Sequence, residues 1–361
     1  MRCIVVDSAG GAPTIRPLKT ASRLLNDEVR LKTSVVGICQ TDLHYGQGKI
    51  PTTFPTVLGH EASAIVTEVG GSVVGIAEGD RVVACLSVYC GQCRMCVSGK
   101  THLCMNKAAT RRTAAQPPRL QSESQVLHQF LDIAAFAEEL IVHRSAVAPI
   151  PDGLSLEHGA LLGCSVTTGF GAVLRTAGVQ PGQSVVVLGC GSVGMSCVQA
   201  SAVARAGLVI AVDSSERRRE LALRLGAAMA FPPDSGVLNA VLGATGGGAD
   251  HAFEAVGLPS TIRLAFDMLA PGGTATVAGA VPAGVEVALP GFDLLYEKRL
   301  QGCNMGSNRP QEDIPTYANF AVDGLIDLDS MISKRVGLED VPEVLRAGLQ
   351  GLDGRTLVHM T

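Results

Sequence analysis

A chain of 361 residues with 47% apolar residues is long enough for two domains with sizeable cores. Its formal net charge is −4 with the charges interspersed, which argues against a nucleic-acid or anionic-membrane surface. No apolar run reaches the roughly 18 residues of a membrane span, and with 4% aromatic residues and no Trp the cores must be mainly aliphatic.

The first ten residues, Met1–Gly10, hold Asp7 and only Arg2 as a base. They lack the pattern of a secretory leader, so a cytoplasmic location is expected. Residues 1–105 read as β-rich: Val29–Gly37, Ala64–Val69 and Arg81–Ala84 are short β-branched runs bounded by Gly, Asp or Pro. Lys107–Gln125, with Arg111, Arg112, Pro117 and Pro118, reads as an irregular polar loop, and Leu140–Val142 as a further strand. From about Gln183 the pattern alternates. Strands are predicted at Ser184–Leu188, Val209–Val212, Ala249–Glu254 and Thr274–Ala278. Helices are predicted at Ser192–Arg205, Glu216–Leu225 and Ile262–Leu269. Such alternation indicates a doubly wound α/β domain with a parallel sheet. The tail suggests helices at Pro315–Val322 and Val341–Gly348.

The chain has eleven cysteines, too many to ignore and, in a reducing compartment, poor candidates for disulfides. Cys90, Cys93, Cys96 and Cys104 stand as C-x2-C-x2-C-x7-C. Four thiolates about 2.3 Å from one ion complete a tetrahedral zinc shell and leave no open position, so the role expected of this loop is structural. A redox disulfide would need only two of the four, and the usual iron–sulfur motifs are spaced differently.

Gly189-Cys190-Gly191-Ser192-Val193-Gly194 is a G-x-G-x-x-G motif placed after a predicted strand and opening a predicted helix. The glycines permit the turn and the close approach of a pyrophosphate, which the helix N-terminus then binds. Asp213 follows Gly194 by nineteen residues, where a carboxylate binds the adenosine ribose. Its charge would repel the extra phosphate of NADP, so NAD is expected. Arg217 and Arg218 weigh the other way, since either could bind that phosphate. The run Arg217–Arg219 also reads as a solvated helix face.

Three further segments complete a pattern: Cys39-Gln40-Thr41-Asp42-Leu43-His44, Gly59-His60-Glu61, and Gly163-Cys164-Ser165-Val166-Thr167-Thr168-Gly169. Together with the four-cysteine loop and the Gly motif, in this order and at these separations from about residue 29 onward, they resemble the zinc-containing medium-chain alcohol dehydrogenases. The resemblance implies a Rossmann cofactor domain at 166–304. It also implies a β-rich, GroES-like catalytic domain made of 1–165 and 305–361. Two zinc ions per chain are implied. One is structural, at the four-cysteine loop; the other is catalytic, held by Cys39, His60 and Cys164. Two thiolates and a neutral imidazole cancel the metal's charge, and the metal lowers the pKa of a bound alcohol.

By the same resemblance Thr41 takes the alcohol proton and passes it through the cofactor ribose to His44 and then to water. Asp42 orients the ligating His60. Glu61 stands behind the metal, where exchange with water at the ion and a bond to a nearby base are both open readings. Arg218 stacks near the adenosine, Arg355 reaches the pyrophosphate, Thr168 packs the nicotinamide, and Ala278–Ala280 bond its carboxamide. Gln40 stands where the family usually has a cation facing the pyrophosphate, and Ala64 stands where a Gly is usual. Leu86, Phe130 and Leu131 are expected to line an apolar substrate pocket, suited to a primary alcohol or aldehyde that is aromatic or branched. Gly302–Ser307 resembles both the aryl-alcohol members and those that oxidise a thiol–formaldehyde adduct. A zinc-stabilised nucleotide-binding protein without turnover is a third reading, opposed by the complete set of ligands and relay residues. Family members are homodimers or homotetramers.

Overall fold

The strand Glu28–Ile38 is the longest among the described residues and organises the N-terminal part of the chain. Buried Val29, Leu31 and Thr33 alternate with more exposed neighbours up to Ser34. Beyond that point Val35, Val36, Gly37 and Ile38 are all buried. The first half is thus a half-solvated strand and the second half runs into the core. A bulge between Thr33 and Val35 marks the change.

In this computed structural model, residues 1–123, 125–348 and 354–360 are described. They form two units: Met1–Cys164 with Arg309–Asp323 and Ile332–Thr361, and Ser165–Asn308 with Gly324–Met331. Relative to the boundaries expected from sequence, 305–308 and 324–331 fall in the second unit, for local reasons. A Cβ on Gly171 would lie 2.1 Å from the Gly306 carbonyl oxygen, so the turn Met305–Ser307 sits directly on the helix Ser165–Gly171. Gln199 holds residue 327 by both backbone groups, accepting from Asp327 N at 2.6 Å and donating to Asp327 O at 3.1 Å.

The first unit is built on a seven-stranded sheet. Its path runs Val147–Pro149, Arg81–Ala84, Glu61–Val69, Glu28–Ile38, Arg355–His359, Ile332–Gly337, and Glu139–His143 pairs with the start of the central strand. Pairing sets Gly37 opposite Glu61 and Ile38 opposite Thr356. Three segments far apart in sequence therefore meet where the central strand ends. The core is aliphatic, as composition required: Val29, Leu31, Val36, Ile38, Val66, Val82, Leu140 and Val142 are all buried.

The second unit holds a six-stranded parallel sheet in the order Met229–Phe231, Leu208–Val212, Ser184–Leu188, Ala249–Glu254, Leu269–Val277, Arg299–Gly302. Numbered along the chain this is 3-2-1-4-5-6, the doubly wound order of a Rossmann domain. The two outer strands and the helix Val237–Thr245 were not predicted from sequence. Both strands are short, and each forms an edge.

Two other expectations change in detail. The helix predicted from Pro315 begins at Pro310, because a proline is tolerated in the first turn and Asp313 caps it by accepting from Arg309 N at 2.8 Å. The polar segment 107–125 is not wholly irregular: it contains a 3-10 turn, Lys107–Thr110, and a short strand, Leu120–Ser122. Ser124 lies outside the described residues. No single helix among the described residues is long and apolar enough to cross a membrane.

That polar segment is fastened to the central strand by charge. Glu28 is buried and accepts from Arg112 Nε at 2.9 Å and from Arg119 Nε at 2.7 Å, with both arginines also buried. Burial opposes ionisation of Glu28. The bonds from Arg112, from the Leu25 N–H and from Arg119 overcome it and hold the carboxyl down at about 2. A depressed carboxyl contributes stability that is present above its unfolded pKa of about 4.3 and lost as pH falls toward about 2. We expect Glu28→Gln to lower the melting temperature at pH 7 and to flatten its fall between about pH 4.5 and 2, measured by thermal melts across that range.

Candidate active site and metal centres

The four-cysteine loop contains two glycines in the left-handed region, Gly91 and Gly99, which let it fold back on itself. The sulfurs converge: Cys93–Cys96 is 3.5 Å, Cys90–Cys96 4.0 Å and Cys93–Cys104 4.0 Å. A tetrahedron with metal–sulfur bonds of about 2.3 Å has edges of about 3.8 Å, so the cage has the size of a zinc tetrathiolate. Backbone N–H groups point at the sulfurs, from Cys93 to Cys90 at 3.4 Å, from Cys90 to Cys104 at 3.3 Å and from Met105 to Cys93 at 3.4 Å. Such bonds favour thiolates, and those from Cys96 and Met105 bring the Cys93 thiol down to about 6.

The second cluster is assembled from distant segments of the first unit. Cys39 ends the central strand and caps the helix Gln40–Gly46, His60 and Glu61 open the neighbouring strand, and Cys164 follows the helix Leu156–Leu162. All four are buried, and their sulfur, ring-nitrogen and carboxylate ligand atoms lie within 4.8 Å of one another. Asp42, fully buried, sets the geometry. One of its oxygens accepts from Cys39 N at 2.9 Å; the other accepts from Gly59 N at 3.0 Å and lies 3.2 Å from His60 Nδ1. His60 Nε2 is left buried and without a hydrogen-bond partner. A buried imidazole held at Nδ1 by a carboxylate, with Nε2 turned toward two thiols, fits a divalent metal. The Cys39 thiol is held well below its usual range, first by a hydrogen bond from Cys164, with Arg355 and His60 adding to this against burial, while Cys164 is pushed up. Metal binding at such a pair would require loss of the thiol protons.

Arg355 opens the strand Arg355–His359, which pairs with the central strand. The strand register buries it beside the cluster, where Nη1 donates to Ile38 O at 2.9 Å and Nη2 lies 2.9 Å from Glu61 Oε1. That approach is a charge contact, since neither Glu61 oxygen has an aligned hydrogen bond. Burial raises the Glu61 carboxyl to about 7, with Arg355 opposing. Glu61 thus stands in charge contact with a buried base, Arg355, while its carboxylate also lies among the atoms of the Cys39, His60 and Cys164 cluster.

Thr41 and His44 stand three residues apart on the helix Gln40–Gly46, which puts them on one face. His44 is partly buried and held below its ordinary pKa by burial and then by the Lys49 charge, so it is neutral at pH 7 and able to accept a proton. Gln40 is exposed at the start of that helix. Phe130 is buried with its ring centroid 4.7 Å from that of Tyr45 and 5.9 Å from that of His60. Leu86 and Leu131 are partly buried against the same apolar cluster. Sequence gave no sign of Tyr45 as the partner of Phe130.

In the second unit Gly189 has φ +86°, and a Cβ on Gly194 would lie 1.8 Å from Gly189 O, so neither position accepts a side chain. A Cβ on Gly191 would meet nothing within 4 Å, leaving open space before the N-terminus of the helix Ser192–Val203, which begins with Ser192 and Val193. This is a cradle for a phosphate. Asp213 closes one side, accepting from Cys190 N at 2.6 Å and Ser215 N at 2.8 Å, with Arg218 Nη1 at 3.9 Å. Thr168 is buried and reaches Met305 Sδ at 3.6 Å. The N–H groups of Ala278 and Gly279 both donate to Glu254 O, at 2.8 and 2.9 Å, while Ala280 lies over Gly257.

Residues 25–152 match the alcohol dehydrogenase GroES-like domain and residues 192–323 the zinc-binding dehydrogenase family. The chain is 33% identical over 340 residues to an S-(hydroxymethyl)glutathione dehydrogenase of Escherichia coli O1:K1 / APEC, covering 92% of each chain. It superposes on an alcohol dehydrogenase zinc-binding domain protein from Burkholderia ambifaria with TM-score 0.94 and 31% identity, covering 100% of this chain and 98% of the other. Benzyl alcohol dehydrogenase from Acinetobacter calcoaceticus gives TM-score 0.93 and 28% identity, covering 100% and 99%. The chain belongs to the zinc-containing medium-chain alcohol dehydrogenase family. It is an oxidoreductase of the alcohol dehydrogenase class, and its families indicate zinc and a nicotinamide cofactor.

Because Asp42 fixes Cys39, Gly59 and His60 at once, Asp42→Asn should weaken zinc retention by about 10–100-fold. Competition with a graded series of chelators, read as zinc remaining per chain, would show it; retention equal to the parent protein would contradict the role.

Proposed function

We propose that the chain transfers a hydride between NAD and a primary, apolar or aromatic alcohol/aldehyde pair, with a catalytic and a structural zinc in each chain. The observation that carries this reading is the buried cluster of Cys39, His60 and Cys164, in which His60 Nε2 is unpaired while Nδ1 is held by Asp42. Cys39, Cys164 and His60 would hold the catalytic ion, which supplies polarisation of the alcohol oxygen and a lowered alcohol pKa. The sulfurs of Cys90, Cys93, Cys96 and Cys104 would close around the second ion and fix their loop.

Thr41 accepts the alcohol proton, and His44, neutral and on the same helix face, carries it toward solvent. Arg355 holds Glu61 behind the cluster. Phe130, Leu131 and Leu86 keep the reacting carbon in an apolar, water-poor setting. Gly189, Gly191, Gly194 and the N–H groups of Ser192 and Val193 cradle the pyrophosphate, and Asp213 takes the ribose hydroxyls and disfavours NADP. Arg218 lies on the adenosine side, and Thr168, Ala278 and Ala280 serve the nicotinamide end. Gln40 gives the pyrophosphate a neutral donor in place of a cation. Exposed Phe292, Leu294, Leu295 and Tyr296 form an apolar turn that supports a homodimer or homotetramer.

A second reading, oxidation of a thiol–formaldehyde adduct, is favoured by the S-(hydroxymethyl)glutathione dehydrogenase named among the relatives. A panel of alcohols and aldehydes with NAD and NADP separates the two. Activity on aromatic or branched primary alcohols with NAD is expected; activity only with formaldehyde plus a low-molecular-weight thiol supports the second. Metal analysis should give about two zinc per chain, and one ion retained after Cys39→Ala. Gln40→Arg should tighten NAD binding several-fold and steepen its salt dependence; a dissociation constant unchanged in both respects would remove Gln40 from the cofactor site.

A further inference from the structure

Immediately before the strand Glu139–His143 the backbone makes an unusual turn. Leu131, Asp132 and Ala134 have φ of 52°, 63° and 65°, three left-handed non-glycine residues within four positions. That conformation is unfavourable for residues with a Cβ and persists only where the surroundings enforce it. The turn carries Phe130 and Leu131, and its exit is bound to the residue preceding His60, with Ala135 N donating to Gly59 O at 2.9 Å.

The enforcing contacts come from the polar segment 107–125. Asp132 is buried, and its carboxylate takes a forked pair of bonds from Arg111, Nε to Oδ1 at 2.5 Å and Nη2 to Oδ2 at 3.1 Å. On the entering side Arg119 Nη1 donates to Gln129 Oε1 at 3.2 Å. The Gln129 amide then donates to Ile141 O at 2.9 Å and to Ile133 O at 3.3 Å, bridging the turn. Arg119 is anchored in turn on Glu28, together with Arg112. Three arginines of one segment thus bond to this region: Arg112 and Arg119 reach the buried Glu28 behind the turn, and Arg111, half exposed, clamps the buried Asp132 of the turn itself from the surface. A guanidinium fork fixes both position and direction of a carboxylate, which a point charge does not.

We propose that Arg111 and Asp132 are a positioning pair that sets where Phe130 and Leu131 stand beside His60, and so determines the selectivity between bulky and small alcohols. The proposal rests on the reading of Phe130 and Leu131 as pocket residues. Releasing the fork lets the turn relax toward ordinary backbone angles, which moves both side chains while leaving the zinc ligands on their own elements.

The test measures kcat and KM with NAD for benzyl alcohol and ethanol in the parent enzyme and in Arg111→Met, Arg111→Lys, Asp132→Asn, the Arg111→Met/Asp132→Asn double variant and Leu131→Ala, alongside zinc content and melting temperature. Arg111→Met and Asp132→Asn should each shift the benzyl-to-ethanol ratio of kcat/KM by about tenfold or more, chiefly through KM for benzyl alcohol. The double variant should be no further shifted than either single one, and Arg111→Lys, which keeps the charge without the fork, should recover part of the ratio. Zinc content should stay at the parent value. If Leu131→Ala shifts the ratio while neither fork variant does, the positioning pair is wrong and the pocket reading stands. If Leu131→Ala leaves it unchanged as well, the pocket reading fails and takes the proposal with it. Equal losses on both alcohols that track the melting temperature would mean the fork only holds the fold, which also overturns the proposal.

Discussion

Asp42 is a carboxylate with no exposure to water that answers three donors: the N–H of Cys39, the N–H of Gly59 and Nδ1 of His60. A buried carboxylate is tolerated only when its oxygens are occupied, and each buried donor left without it would cost about 1–3 kcal/mol. The arrangement therefore works in both directions. The helix Gln40–Gly46 must start where it does, because Asp42 completes its first turn. The imidazole must present Nε2 to the two sulfurs, because Nδ1 is taken. The helix face bearing Thr41 and His44 and the position of Cys39 are consequently fixed by one buried side chain.

The two clusters that could hold a metal are built on opposite principles. Cys90, Cys93, Cys96 and Cys104 lie within one loop, so their convergence is a local matter of two left-handed glycines and N–H···S bonds. Its closed sulfur shell suits an ion that orders the chain. Cys39, His60 and Cys164 converge only through the seven-stranded sheet, whose register sets Gly37 against Glu61 and Ile38 against Thr356. Misregister by one residue would turn every side chain of a strand to the other face and dismantle that cluster while leaving the first intact. An ion held by this second cluster would have its geometry coupled to the global fold.

This difference also explains what could be read in advance. The four-cysteine spacing and the Gly motif are local signals, and the strands Ser184–Leu188, Leu208–Val212 and Ala249–Glu254 were legible from their apolar runs. The three scattered ligands were legible only through their likeness to a family, since no periodicity joins residues 39, 60 and 164. The charge contact of Arg355 with Glu61 is not legible in the sequence, because a strand register is invisible in a single chain. Arg111 and Asp132 are illegible for the same reason: an irregular polar loop gives no hint that its cations face buried acids. The short edge strands Met229–Phe231 and Arg299–Gly302 carry too few residues for alternation to register.

Gly37 shows a restriction of another kind. A methyl group there would lie 2.3 Å from Glu61 Oε2, in the space the carboxylate occupies. The position is in the buried half of the longest strand, where sheet formation alone would favour valine or isoleucine. Substitution by either would strengthen the local backbone preference and evict the carboxylate from beside Arg355 and the ligand sulfurs. A search of sequence space guided by stability would therefore be drawn toward replacements at this residue that displace the carboxylate, and an engineered variant of this enzyme has to hold residue 37 fixed.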